Sequence, residues 1–498
     1  MKVLTASQIR EADDYTIKNE PIASIDLMER ASKAFANWFI KNFQSSKPIA
    51  IFCGMGNNGG DGLAIARILH RQNFKVEVYI IKDKDKGSAD FEINLDRFQQ
   101  TSPVNFISEA LQIPVFQSEV IIIDAIFGSG LSKPVEGLHR KVIEAINDFR
   151  FPTVAVDIAS GLFSDKPNGG GSIVKPAFTV CFQVYKLAFL MPENAEFVGD
   201  LVVVDIGLDQ QFLADLATPY EVITDELIAN LLKKRKKFAH KGDFGKVLLV
   251  SGSWGKVGAS VLCAKACLRT GAGLLSIHAP GCAYEILQAT VPEAMVETDV
   301  KRKKISKVKD FDRFDTIGIG PGIGTAEETK EVLSSILKSF KKPIVLDADA
   351  LNILAENKKL LKYIPKGSIL TPHPKEFERI AGKFNNSYER LVLQKKFSEQ
   401  YHCITIVKGA HTSISTPDGE VFFNNTGNPG MATGGSGDVL TGMVAALLGQ
   451  KYNSRDAAII GVYLHGLAGD FAAKKLGQES MLPSDIIDNI SNAYLSFS

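Results

Sequence analysis

The chain has 498 residues, 45% of them hydrophobic and 23% charged, with a formal net charge of +1. That length exceeds one ordinary core and argues for two or three domains, and the near-neutral charge gives no electrostatic case for a nucleic-acid or membrane partner. No apolar run reaches the roughly eighteen residues that a bilayer requires. Met1–Gln8 turns polar at once, unlike a signal peptide, and the six cysteines between Cys53 and Cys403 contain no CxxC. A cytoplasmic, reduced protein is expected. Cys263 and Cys267, at i, i+4 spacing, read as core thiols rather than a metal pair.

In chain order, β-rich runs at Ile49–Cys53, Lys75–Ile81, Val120–Ile126, Thr153–Ile158, Thr179–Val184 and Leu201–Asp205 alternate with helical patterns at Asp61–Arg71, Ala89–Gln100 and Gly137–Phe149. Such alternation predicts a parallel sheet covered on both faces. Leu208–Arg235 shows no strong strand, and a domain boundary is placed there, near residue 220. The basic run Lys233–Lys237 reads as a solvated linker face. A second set of runs follows at Lys246–Ser251, Leu274–His278, Thr316–Gly320, Ile344–Asp347, Ser368–Thr371 and Cys403–Val407. Helical patterns at Ala259–Thr270, Ala326–Phe340 and Gly435–Leu448 intervene. Thr412–Thr416 and Glu420–Asn424, joined by Pro417-Asp418-Gly419, predict a hairpin.

In the first half, Gly54-Met55-Gly56-Asn57-Asn58-Gly59-Gly60-Asp61 follows a strand and leads into a helix. A glycine-rich strand-to-helix turn is a phosphate site. Asp61 fits either a ligand-binding role or a helix cap. Asp124 ends another strand ahead of the loop Gly128-Ser129-Gly130, and Asp157 and Ser160 follow the next. Asn58, Asp124 and Ser160 offer oxygen ligands with one formal charge among them, a hard, weakly charged set that suits K⁺ better than Mg²⁺ or Zn²⁺.

Asn57–Asp61, Asp124, Gly128–Pro134 and Asp157–Ser160, with Asp26–Ala31, resemble the NAD(P)H-hydrate epimerases over about residues 5–210. That family interconverts the R and S hydrates of reduced nicotinamide nucleotides. The resemblance implies that Asn57, Asn58, Gly59, Gly60 and Asp61 bind substrate, together with Gly128, Ser129, Gly130, Leu131, Ser132, Lys133, Pro134 and Asp157. Asp157 is expected to be the acid–base residue. Phe182-Gln183-Val184-Tyr185-Lys186 departs from the pattern, with bulky residues before its lysine, and Lys186 is left without a role.

In the second half, Asn428–Asp438 carries four glycines and passes into the apolar stretch Val439–Leu448. Glycines opening a helix leave several N–H groups pointing one way, at the positive end of the helix dipole, where they cradle phosphate or an oxyanion. Asp438 cannot ligate phosphate by charge, so proton transfer is its expected work; dipole stabilisation is the alternative. Gly320–Gly324, Asp347-Ala348-Asp349, Thr371-Pro372-His373-Pro374 and Lys408–Thr412 all sit just after predicted strands, where open α/β sheets bind ligands.

With His240–Gly245 these motifs resemble the nucleotide-dependent NAD(P)H-hydrate dehydratases, of ribokinase-like fold, over most of residues 225–495. The resemblance implies that Lys408, Gly409, Ala410, His411, Thr412 and Gly437 contact adenine nucleotide. Gly258, Gly322, His373 and Asp438 would contact the hydrated dinucleotide. ADP, ahead of ATP, is the expected co-substrate, with Mg²⁺. The expected architecture is a Rossmann-like three-layer sandwich at 1–220 followed by a ribokinase-like α/β domain at 221–498. The expected protein is a bifunctional repair enzyme working on hydrated NADH and NADPH, and a homo-oligomer. Two other readings stay open: a small-molecule hydroxyl kinase in the second half, and a non-catalytic binding module in the first.

Overall fold

All five residues of Ile49–Cys53 are buried, with Ile49, Ile51 and Cys53 in one apolar cluster and Ala50 and Phe52 in another. A strand that buries both of its alternating sets must lie between two covering layers. The computed structural model describes residues 1–497. It divides into two compact units, Met1–Thr218 and a second beginning at Pro219.

The first unit opens with helices α1 (Ala6–Asn19) and α2 (Ser24–Asn42). Thr5 and Gln8 form a capping box that starts α1. There follow β1 (Ile49–Cys53), α3 (Asn57–Arg71), β2 (Val76–Ile81), α4 (Ala89–Gln99) and β3 (Asn105–Ile107). The chain then forms β4 (Ile121–Ala125), α5 (Gly137–Phe149), β5 (Thr153–Val156), β6 (Phe178–Phe182), β7 (Asp200–Val204) and α6 (Gln210–Asp215). The seven strands pair in parallel in the order β3-β2-β1-β4-β5-β6-β7. Phe35, Phe39, Leu63 and Phe91 from α2, α3 and α4 cover one face, and Val142, Ile143 and Ile146 of α5 cover the other. This is the three-layer sandwich that the alternation predicts. The strand order reverses between β1 and β4, which opens a crevice at their carboxyl ends.

The second unit begins with β8 (Tyr220–Val222) and α7 (Asp225–Leu231), then β9 (Lys246–Val250), α8 (Val257–Arg269), β10 (Leu274–Ala279), α9 (Tyr284–Thr290) and β11 (Met295–Thr298). Its middle part runs through β12 (Thr316–Ile319), α10 (Glu327–Ser339), β13 (Ile344–Leu346), α11 (Ala348–Glu356), β14 (Ile369–Leu370), α12 (Pro374–Ala381) and α13 (Ser387–Tyr401). Strands β15 (Ile404–Val407), β16 (Ser413–Ser415) and β17 (Val421–Phe423) precede α14 (Ser436–Gly449), α15 (Ser454–Leu476) and α16 (Pro483–Leu495). The sheet order is β11-β10-β9-β12-β13-β14-β15-β16-β17-β8, with a reversal between β9 and β12. Among the described residues only the β15–β16 and β16–β17 pairs are antiparallel, and they form the hairpin region.

Leu208–Arg235 departs from its reading as a stretch without a strong strand. Tyr220–Val222 pairs in parallel with Val421–Phe423. Three residues are too few to display a period, and sheet-edge pairing rather than local propensity makes this segment a strand. Helices α8 and α14 meet closely because Gly442 faces the Cys263 carbonyl, where a Cβ would come within 2.1 Å of the oxygen. Cys263 and Cys267 are buried core thiols, and all six cysteines are free. Lys233 and Arg235 of the basic run lie over the rings of Tyr452 and Phe244. Among the described residues no helix is long and apolar enough to cross a membrane.

Candidate active sites

In the first unit the β1–α3 turn is tight enough that a Cβ on Gly59 would fall 1.7 Å from the Gly54 carbonyl oxygen. Helix α3 starts at Asn57, so Asp61 lies a full turn inside it and is not its cap. The crevice between β1 and β4 is a cavity of about 570 Å³. Asn57, Asn58, Asp61, Gly128, Ser129, Gly130, Leu131, Ser132, Lys133 and Asp157 line it. Gly59 and Gly60 are buried in the helix behind that wall, and Pro134 follows the loop outside it.

Asp157 sits just past β5 with φ +67°, a conformation that costs a non-glycine residue roughly 1–2 kcal/mol. Gln183, also in the cavity wall, has φ +63°. Two left-handed residues facing one cavity are the kind of strain that accumulates at functional sites. Asp157 accepts hydrogen bonds from the Phe182 amide at 3.1 Å and from Lys186 Nζ at 2.7 Å. Lys186, unassigned from sequence, is therefore the buried ion-pair partner of Asp157. Burial lowers its pKa, but Asp157 more than offsets this and the ammonium is held above its ordinary value. Burial, then Asp157 and Asp13, push Asp61 well above the carboxylate range.

Asp124, fully buried at the end of β4, accepts from the Ser160 amide at 2.8 Å, from the Ser160 hydroxyl, and from the Ile126 amide at 3.3 Å. Ser160 Oγ in turn accepts from the Phe127 amide at 2.8 Å. Asn58 lies against Gly128, one residue along the same loop, and its buried Nδ2 has no protein partner. The three residues thus converge on the Ile126–Gly128 segment.

In the second unit Gly435 (φ +105°) precedes α14, and Asp438 occupies the first turn of that helix. Lys408 Nζ lies 3.0 Å from Asp347 Oδ1, and the Thr441 hydroxyl donates to Asp347 Oδ2 at 2.7 Å. A Cβ on Gly437 would stand 3.4 Å from Lys408 Nζ and 3.7 Å from Asp347 Oδ2. The glycine cradle, a lysine and a buried aspartate therefore form one cluster. Burial, then Asp347 and Asp349, push Asp438 up to about 7, with Lys408 opposing.

A cavity of about 680 Å³ brings together His373, Lys408, Gly409, Ala410, Thr412 and Gly437. Gly258, Gly322, His411 and Asp438 lie outside its lining. His411 Nδ1 instead meets the Asn424 carbonyl at 3.3 Å. Gly322, with φ +65°, abuts Lys256 and Ala259, so it and Gly258 flank the switch point between β9 and β12. His373 caps α12: its Nδ1 accepts from the Lys375 and Glu376 amides. Burial first, and then Lys408, lower its pKa, so the ring is a neutral group at the cavity wall.

Asp13 in the first cavity and His465 in the second were missed from sequence. Asp13 interrupts the apolar stripe Ile9–Asp13–Ile17 of α1, and His465 interrupts the apolar α15. A polar residue inside an apolar stripe was the available signal.

The geometry defines an α/β protein with a cavity at strand ends in each of two units, in the first at the strand-order reversal between β1 and β4 and in the second beyond β14 and β15. A family model described as NAD(P)H-hydrate dehydratase matches residues 247–492. One described as YjeF-related protein N-terminus matches residues 24–188. The bifunctional NAD(P)H-hydrate repair enzyme of Moorella thermoacetica is 35% identical, over 98% of this chain and 96% of the relative. The enzymes of that name from Thermofilum pendens (33% identical; 99% and 96% covered) and Escherichia coli (32%; 93% and 88%) are also similar. Among solved structures, a ribokinase-like superfamily protein of Enterococcus faecalis is 26% identical with a TM-score of 0.51, covering 57% of this chain and 98% of its own. The ADP/ATP-dependent NAD(P)H-hydrate dehydratase of Bacillus subtilis is 27% identical with a TM-score of 0.48, covering 56% and 99%. The chain belongs to the family of bifunctional NAD(P)H-hydrate repair enzymes.

Replacing Lys186 by Met leaves the Asp157 carboxylate in a largely buried site without its cation. Breaking a buried pair from one side costs about 3–5 kcal/mol. Denaturant unfolding of the Lys186→Met chain should show a loss of that order in the first unit. An unchanged midpoint would remove the pair from the stability of the fold.

Proposed function

We propose that both units act in repairing hydrated NADH and NADPH. The first unit interconverts the R and S hydrates, and the second dehydrates the S form at the expense of ADP or ATP. The observation that supports the second activity best is Asp438 on a glycine-opened helix, beside the Lys408–Asp347 pair. Hydroxide is a poor leaving group. Asp438 accepts the proton of the ring hydroxyl as that oxygen takes the terminal phosphoryl group of the nucleotide. The amides around Gly435–Gly437 and the Lys408 ammonium hold the charge of the group in flight. The lone pair of the adjacent ring nitrogen then expels phosphate, which leaves a cationic ring, and loss of a proton from the neighbouring ring carbon restores the dihydropyridine. Among the described residues no group of three or more His, Cys, Asp or Glu is placed to hold a metal. Mg²⁺ would be held by the nucleotide phosphates and water with at most one or two carboxylates, the coordination this ion prefers. The shifts in Tm on adding ADP or ATP decide the donor.

In the first unit Asp157, fixed by Lys186, is the acid–base group of epimerisation. Asn58, Asp124 and Ser160 would hold K⁺: their oxygens carry one formal charge, and turning the Asn58 side-chain amide over would place its oxygen where the buried Nδ2 now has no partner. A bound K⁺ would tie together the ends of β1, β4 and β5.

A base must be ionised to work. Since Asp438 is pushed up to about 7, kcat/KM for dehydration should rise with pH through that value. Asp438→Asn should remove the limb and cost on the order of 10²–10⁴ in turnover, while nucleotide affinity holds. Near-normal turnover would refute the assignment. Release of orthophosphate together with reduced nucleotide excludes a plain hydroxyl kinase, which would leave a stable phosphorylated product.

On a mixture of hydrates with nucleotide, the wild-type chain should run smoothly to completion. Asp157→Asn should consume the S share quickly and then slow to the uncatalysed rate of epimerisation. A single fast phase would deny Asp157 an essential role.

Replacing K⁺ by a bulky organic cation should lower both the epimerisation rate and the Tm of the first unit. Indifference in both measurements would dismiss the cation site.

A further inference from the structure

The cavity at the ends of β1, β4 and β5 has one wall that the glycine and asparagine motifs do not supply. Helix α1 contributes Ile9, Arg10 and Asp13 to it. Ile9 and Ile17, one turn to either side of Asp13, pack against the apolar cluster containing Leu4, Leu27 and Leu208. The helix is thereby fixed, with Asp13 in the same cavity as Asp157. Asp157 is already engaged by Lys186 and by the Phe182 amide. A reaction that removes an oxygen from one face of a ring carbon and returns it to the other needs a proton donor as well as an acceptor.

We infer that Asp13 is a second catalytic residue of hydrate epimerisation, sharing one proton with Asp157 as a carboxyl pair. The inference rests on the epimerase reading of this cavity. Asp13 gives its proton to the ring hydroxyl. The carbon–oxygen bond breaks with its electrons going to oxygen, which leaves as water. The adjacent ring nitrogen supplies its lone pair to the carbon, so the ring becomes cationic beside two carboxylates. Water adds to the opposite face, its oxygen forming the new bond and its surplus proton passing to Asp157. Transfer of that proton from Asp157 to Asp13 resets the site. Nothing is consumed, and the configuration at one carbon is the only change.

The charges around Asp13 favour this role. Burial, then Asp157 and Asp14, push its carboxyl up to about 7, and Lys186 opposes them. Asp61 on α3 also couples to Asp13, and Arg10 lines the cavity one turn away. Asp13 therefore carries a proton near neutrality, as a general acid must.

The test uses the full chain without nucleotide, so that dehydration is silent, with purified R hydrate and NMR detection of the S form. Wild-type epimerisation should fall as pH rises through about 7. Asp13→Asn should lower the rate on the order of 10²-fold or more and abolish that alkaline limb. Asp13→Glu should keep the limb. An Asn variant within about tenfold of wild type, or one whose slower rate keeps the wild-type pH profile, overturns the inference. Should the Asn variant fail to fold, a wild-type rate that is flat from about pH 6 to about pH 9 overturns it instead. A wild-type chain that does not interconvert the hydrates defeats the epimerase reading itself. A competent wild type with an indifferent Asn variant defeats the role of Asp13 alone.

Discussion

A parallel β-strand followed by a helix delivers its last residues toward the positive end of that helix. Where the strand order reverses, two neighbouring strands send their connections to opposite faces and leave a crevice between them. Both sheets of this chain are built around such a reversal, at β1/β4 and at β9/β12. Glycine-bearing segments follow the strands at each reversal, while the residues of the second cavity, His373 and Lys408–Thr412, follow β14 and β15 of the second sheet. Asn57–Asp61 follows β1, Gly128–Lys133 follows β4, Gly258 follows β9 and Gly322 follows β12. The layered cores hold those strand ends still: alternate side chains of β1 and β9 go to opposite apolar clusters, so each strand is clamped between two packed layers.

The two crevices handle buried charge differently. In the first, the Asp157 carboxylate is held by a buried lysine, so its position is set by an ion pair as well as by a left-handed backbone. Around it Asp13 and Asp61 are pushed toward the protonated form. In the second, Lys408 is shared between Asp347 and the space in front of Gly437. That leaves an ammonium where a phosphoryl group would arrive, with Asp438 poised near neutrality beside it. Asp438 follows directly on the cradling residues Gly435–Gly437 in the first turn of α14, where a carboxylate close to phosphate is unfavourable until it has a proton to accept.

Most of the framework was legible in the sequence because hydrophobic periodicity and glycine punctuation are local. The runs Ile49–Cys53 and Gly137–Phe149 appear with the ends read from sequence, and both glycine turns lead into helices. Strand β8 was not legible, since a three-residue edge strand is made by its neighbour. The start of α3 was read four residues late, because Asn and Gly are poor helix formers and only the crevice geometry places them in the first turn.

The sequence by itself determined the α/β layering and the two glycine-rich turns, and it singled out Asp438, Asp157 and the Asn58, Asp124 and Ser160 set as candidates, because each lies in a short motif at a strand end or a helix start. Tertiary structure decided which distant side chains meet them. Lys186 reaches Asp157 from 29 residues away, Thr441 reaches Asp347 from 94 away, and Asp13 enters the first cavity from a helix far upstream of every motif. These partnerships have no local signature. A buried charge is stabilised by whatever opposite charge or hydrogen-bond donor the packing brings to it, and packing is a property of the whole fold.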